Sequence, residues 1–182
     1  MIAHPLLSAN TVPGMRGGPS SIPRRLWFAE HVPWHRVRSV VDVSDDSGRL
    51  LSEVMDDFDG SAVLVDLAGN ATASRALLAR CGDRVSVRSG DLLTELPAGA
   101  DFYLLPDGLE DLDSGRLGRL MRAVSQACLP SGRALACMSA AGAATVVRSA
   151  ERAGLEVTRR GGDATAALIE FGSGPLRVLP GQ

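Results

Sequence analysis

Lysine is absent from the 182-residue sequence, and all nineteen cationic side chains are arginine. They are spread along the chain rather than clustered, and against 21 acids they leave a net charge of −2. That excludes the basic face of a nucleic-acid binder. Arginine in place of lysine, with abundant Ala and Gly, is the mark of a GC-rich genome and carries little functional content. Aromatics make up only 4% of residues, so the core implied by 45% hydrophobic residues must be built from Val, Leu and Ala. Cysteine is scarce, and Cys81, Cys128 and Cys137 are odd in number with no CxxC spacing, which predicts buried free thiols and neither a disulfide nor a zinc site. No apolar run approaches the ~20 residues of a membrane span. No basic stretch followed by an apolar one marks a secretory signal, so a cytoplasmic protein is expected. Histidine occurs only as His4, His31 and His35, and Pro33 spoils the one helical pair among them, so no metal site is expected. There is no GxSxG elbow for a serine nucleophile.

The length predicts one domain, since domains usually hold ~100–150 residues. Residues 1–21 carry Pro5, Pro13, Gly14, Gly17, Gly18 and Pro19 without periodicity and read as a flexible arm. The domain is expected over 22–172, with 173–182 as a tail. It opens on a short helix, 22–31, with Pro23 in its first turn and Pro33 as its stop. Strands are then predicted at 39–43, 62–65, 84–88, 102–105 and 134–138, alternating with helices at 49–58, 72–80, 115–129 and 143–153. Two last extended runs, 156–159 and 166–171, follow each other without room for a crossover helix, so one of them must be antiparallel. Gly132 and Gly154 stand where helices hand over to strands. The expected fold class is therefore α/β, a doubly wound and mainly parallel seven-stranded sheet with an antiparallel C-terminal hairpin strand in three αβα layers.

One turn in this scheme is unusual. Val41-Asp42-Val43-Ser44-Asp45-Asp46-Ser47-Gly48 runs from a strand into a helix, the place where a doubly wound domain holds a cofactor on backbone N–H groups. Glycine normally fills such a turn because the backbone must come close to the ligand. Here two carboxylates occupy it.

Several runs resemble the S-adenosylmethionine-dependent methyltransferases, and in particular the plant-type small-molecule O-methyltransferases. Val41-Asp42-Val43 with Gly48 matches the two ends of that family's glycine-rich motif. Val65-Asp66-Leu67 resembles the second-strand end whose acid binds the cofactor ribose. Ser89-Gly90-Asp91, followed by residues 96–101, resembles the Gly-Asp turn near the adenine. Residues 103–113 match the segment with the catalytic histidine, and 129–135 resemble the Pro-Gly-Gly turn entering the fifth strand. The resemblance covers roughly 36–171 and implies the class I methyltransferase fold, with Asp42, Gly48, Asp66 and Asp91 as the cofactor-binding set, vestigial or active.

Three departures accompany it. Ser44, Asp45 and Asp46 replace glycines, and carboxylates there face the cofactor's own carboxylate, although an acid could also pair with its amino group or sulfonium. Glu110 stands where the family has its histidine base; it is either a base or part of a solvated acidic loop with Asp111 and Asp113. The arm is short where the family has an N-terminal dimerisation domain, and the segment after the fifth strand is short, so the expectation is that either the substrate is large or a second polypeptide completes the pocket. Trp27, Phe28 and Trp34 are the candidate interface, against the alternative that they staple the entry helix to the sheet.

The expectation drawn from these departures is a subunit of a small-molecule biosynthetic enzyme of secondary metabolism with a degenerate cofactor site. It works in a hetero-oligomer by methyl-independent chemistry, with Asp45, Asp46 and Glu110 as catalytic groups and no cofactor. The alternatives are a non-catalytic scaffold for an enzyme partner and an active O-methyltransferase that uses S-adenosylmethionine through an unusual turn.

Overall fold

The structure, a computed structural model, describes residues 32–43, 48–56, 58–66, 71–89, 95–105, 108–128 and 131–173. Its strands are β1 Ser39–Asp42, β2 Ser61–Asp66, β3 Val85–Ser89, β4 Phe102–Leu104, β5 Arg133–Ser139, β6 Leu155–Gly162 and β7 Ala166–Ser173. They form one sheet in the order β3-β2-β1-β4-β5-β7-β6. β1 to β5 pair in parallel, whereas β7 runs antiparallel to both β5 and β6. The short hairpin between β6 and β7 is what forces that reversal.

Helices α1 Arg49–Val54 and α2 Ala71–Leu78 lie on one face, and α3 Ser114–Ala127 and α4 Ala143–Arg152 on the other. Because successive strand residues point to opposite faces, each strand feeds two cores. Val40, Leu64 and Leu104 pack with Leu51 and Val54 of α1 and Leu78 of α2. Val41, Val65 and Tyr103 pack with Leu120 and Val124 of α3 and Val146 of α4. The three-layer architecture read from the alternation of elements is the one observed.

The first helix is shorter than its amphipathic pattern predicts, ending at Val54 instead of residue 58. Carbonyls in its last turn and in the segment just after it are met from outside. The Arg80 guanidinium donates to Ser52 O and Ser52 Oγ, and Arg84 donates to Phe58 O and Met55 O. The chain leaves the helix while Phe58 stays fully buried. Phe58 meets Trp34 at a ring-centroid distance of 5.9 Å with the planes tilted by 60°. Trp34, a candidate for either a partner interface or a staple to the sheet, is 8% exposed and belongs to this core; Trp27 and Phe28 lie outside the described residues, as does the predicted helix 22–31. His35 falls in a 3-10 helix, Trp34–Arg36, at the amino end of β1.

Gly132 is needed for close approach and not for a left-handed helix end. A Cβ there would lie 2.7 Å from Ala100 O and 3.0 Å from Cys128 Cα. Gly154, with φ +85°, does terminate its helix as read.

The single tyrosine is a buried tie. Its hydroxyl accepts from Ala100 N at 3.1 Å and has Pro97 O and Ala127 O within donating distance, each at 2.8 Å. Burial pushes its acidity well toward the neutral form. Tyr103→Phe strands these backbone groups at a cost of about 2 kcal/mol, read as a fall in Tm of about 4–8 °C.

All three cysteines are free and buried. Burial drives the Cys128 thiol up to about 12, so it stays protonated at neutral pH.

Asp113, expected in a solvated loop, caps α3. Its Oδ1 accepts from Arg116 N at 2.9 Å and Gly115 N at 3.0 Å. The Arg116 N–H bond, with that of Gly115, holds its carboxyl below the usual carboxylate range. A folded-state pKa below the unfolded one means stability that is fully present at neutral pH and lost as pH falls through the lowered value. Asp113→Ala is therefore expected to lower Tm at pH 7 and to leave it unchanged below that acid transition, as a pH series of thermal melts will show.

Candidate active site at the carboxyl ends of the strands

In an open α/β sheet the ligand crevice lies outside the carboxyl ends of the strands, where the strand order reverses. Here that point is between β1 and β4, because the chain winds from β1 to β2 and β3 on one side and to β4 and β5 on the other. Asp42 ends β1 and Asp66 ends β2. The register pairs Asp42 with Leu64, so Asp66 projects one pleat further along the same sheet face. Both carboxylates are buried, Asp42 at 0% and Asp66 at 5% exposure. Packing alone places apolar residues at such positions, as the rest of β1 and β2 does, and both aspartates make interactions with their surroundings.

The far end of the acidic turn is fixed by Gly48. It caps α1 at φ +82°, and its carbonyl accepts from Ser52 N at 2.8 Å. A Cβ at this position would lie 2.9 Å from Leu64 Cδ2 and 3.0 Å from Leu78 Cδ1. Gly48 thus sits against Leu64 of β2 and Leu78 of α2. Asp45, Asp46 and Asp91 lie outside the described residues.

On the other side of the reversal, Gly108 at φ +71° starts a 3-10 helix, Leu109–Asp111, that carries Glu110 over the end of β5. Glu110 Oε1 accepts from Ser139 N at 2.8 Å. Gly142, which precedes α4, lies directly beneath the Glu110 stem; a Cβ there would collide with Glu110 Cβ and stand 2.8 Å from Cγ. Glu110 is half-buried, whereas Asp111 and Asp113 are exposed, so the three acids do not form one solvated loop.

The structure therefore brings Asp42, Gly48 and Asp66 together on one side of the switch point and places Glu110 on the other. Ser139 and Gly142 complete the second group and were missed in the sequence, where they read only as the entry to a helix. Asp101, inside the segment resembling the Gly-Asp turn, belongs at the opposite end. Its Oδ2 accepts from Arg38 N at 2.7 Å and Ser39 N at 3.0 Å, tying the starts of β4 and β1 together. Among the described residues no group of three or more His, Cys, Asp or Glu is arranged to hold a metal ion. Among them, too, no helix is long and apolar enough to cross a membrane.

Known proteins are similar in sequence and fold. The model of the O-methyltransferase domain family matches residues 25–159. Phenazine-1-carboxylate N-methyltransferase of Pseudomonas aeruginosa is 35% identical over 115 residues, which are 62% of this chain and 32% of the relative. O-demethylpuromycin-O-methyltransferase of Streptomyces alboniger is 30% identical over 131 residues, 70% of this chain and 35% of the relative. Among solved structures, a mitomycin 7-O-methyltransferase superposes with a TM-score of 0.74 at 23% identity, covering 82% of this chain and 53% of that one. An O-methyltransferase of neocarzinostatin biosynthesis, solved with S-adenosylmethionine and 2-hydroxy-5-methyl naphthoic acid, superposes with a TM-score of 0.70 at 27% identity, covering 78% and 50%. The matched stretch thus spans about a third of these curated relatives and about half of the solved chains. With the sheet order, the carboxylates ending β1 and β2 and a family match over three quarters of its length, about 135 of 182 residues, the chain belongs to the O-methyltransferase domain family.

Proposed function

We propose that this domain binds S-adenosylmethionine across the carboxyl ends of β1 and β2 and serves methyl transfer to a small aromatic natural product. The observation that carries the reading is the pair of buried carboxylates, Asp42 and Asp66, at the point of strand-order reversal. Their chemistry fits the group: a carboxylate only accepts hydrogen bonds, and Asp66 is suited to two ribose hydroxyls. Gly48 fixes the turn between them, and an acid at Asp45 or Asp46 suits the cofactor's amino group. Asp91 is assigned to the adenine side through the family resemblance alone. When bound, the cofactor supplies an electrophilic methyl group. The expectation of no cofactor, drawn from the acidic turn, gives way to this reading because relatives named as methyltransferases, and a neighbour solved with S-adenosylmethionine, support it. Those named relatives work on phenazine-1-carboxylate and on demethylpuromycin, so the acceptor class is a heteroaromatic or phenolic secondary metabolite. Isothermal titration with S-adenosylmethionine tests the reading; no heat and no thermal shift at millimolar ligand would remove it.

A second reading rests on Ser44-Asp45-Asp46, where two acids replace the glycines that cradle a cofactor. In it the acid pair is a base or cation binder for a cyclisation, elimination or displacement in a complex with a partner protein, docked through Trp27 and Phe28. Copurification from the native host identifies such a partner. Converting Asp45 and Asp46 to asparagine then separates three cases. Lost turnover with S-adenosylmethionine affinity unchanged favours acid chemistry. Weakened cofactor binding favours methyl transfer. No change of any kind, with association broken by changes at Trp27, favours a scaffold.

A further inference from the structure

The family resemblance sets Glu110 at the position of the histidine base, yet its contacts among the described residues turn it inward. Oε1 is engaged by the Ser139 N–H at 2.8 Å. The stem rests on the bare backbone of Gly142, whose own N–H donates to Ser139 Oγ at 3.1 Å. The second oxygen, Oε2, is sealed from solvent and has no hydrogen-bond partner among the described residues. An orphan oxygen open to a cleft would invite a proton from an acceptor. A sealed one cannot receive it unless the 3-10 helix at Leu109–Asp111 moves.

We infer that Glu110 is a positioning residue that ties the 3-10 helix after β4 to the end of β5, and that proton removal is not done from this position. The consequence, which rests on the methyl-transfer reading above with Asp45 and Asp46 serving the cofactor, concerns the acceptor: its reacting atom carries no proton at working pH. Two chemistries meet that condition, an oxyanion of an acidified phenol and a ring nitrogen with a free lone pair. Neither requires a general base. Among the described residues, His35 offers no substitute, since it lies at the amino end of β1, the opposite end of the sheet.

The tie is tested without any substrate. Glu110→Gln keeps an oxygen for the Ser139 N–H and is expected to melt with the wild type, while Glu110→Ala loses about 5 °C. Equal melting of all three proteins overturns the tie. The acceptor class is tested with S-adenosylmethionine and three probes: 4-nitrophenol, 4-methylphenol and phenazine-1-carboxylate. Turnover of the nitrophenol or the phenazine, at least 10-fold faster than of the methylphenol at neutral pH and undiminished in Glu110→Gln, supports it. The two active probes separate the oxyanion from the ring nitrogen. Equal turnover of both phenols, turnover of none of the three, or a 100-fold loss in Glu110→Gln at unchanged Tm overturns it. Failure to bind S-adenosylmethionine would sink the methyl-transfer reading alone, because the melting comparison is unaffected.

Discussion

Replacing Asp66 by asparagine is expected to weaken S-adenosylmethionine binding about 100-fold while the ligand-free protein melts within a few degrees of the wild type. Two charge-assisted hydrogen bonds to vicinal hydroxyls contribute about 1.5–3 kcal/mol each, and an amide of the same shape keeps only one acceptor oxygen. A loss of about 2.7 kcal/mol is a factor of about 100. In the wild type, ligand at about 100 times Kd stabilises the native state by about 2.7 kcal/mol, a rise of roughly 5–10 °C for a domain of this size. In the variant the same concentration shifts Tm by less than about 2 °C. A full shift in Asp66→Asn would show that the buried carboxylate at the end of β2 does not contact the cofactor. Asp66 is the better target than Asp42 because it projects beyond its neighbour in the register, while Asp42 lies level with Leu64 and is wholly enclosed.

Gly48→Val is expected to be the most damaging single substitution at the acidic turn. The position combines φ +82° with side-chain atoms of Leu64 and Leu78 at 2.9 and 3.0 Å from where a Cβ would stand. A β-branched residue in the left-handed region is strained by about 1–3 kcal/mol, and forcing methyl groups against packed leucines adds about 1–3 kcal/mol. Together these reach about 4 kcal/mol against a total stability of about 5–15 kcal/mol. Chemical denaturation will read this as a lower midpoint with an unchanged slope. Gly48→Ala is expected to cost about half as much, because the two leucine side chains can yield by a few tenths of an ångström whereas the backbone strain stays. Equal stability of the valine variant and the wild type would mean that the turn relaxes freely. Gly48 would then place neither α1 nor the acids that precede it.

Both results turn on residues that also explain how legible the fold was. The strands were readable because a doubly wound sheet buries its central strands on both faces: Val40-Val41 and Val63-Leu64-Val65 are continuous apolar runs bounded by turn residues. The family resemblance singled out the acids Asp42 and Asp66, and the structure sets each at the carboxyl end of such a run, where sheets of this kind keep their sites. Helix ends were less legible. The apolar pattern that predicts a helix through residue 58 is genuine, since Met55 and Phe58 are both buried. The carbonyls at and just beyond its end are met by a pair of arginines more than twenty residues downstream, and no local pattern can report them.

The amino-acid sequence by itself determined the order of the elements, the reversal of the last strand, the acids at the carboxyl ends of β1 and β2 and the family resemblance that the match over residues 25–159 bears out. The elements and their order are properties of periodicity and local spacing, and the resemblance rests on motif residues matched to a known family. Tertiary structure decided the rest: that Trp34 is core, that Asp101 braces the far end of the sheet, and that Glu110 is held by Ser139 and Gly142. Each depends on which backbone groups arrive beside a side chain from elsewhere in the chain. A carboxylate's role is set by the N–H groups and apolar surfaces that reach it, and those are fixed only when the sheet has closed.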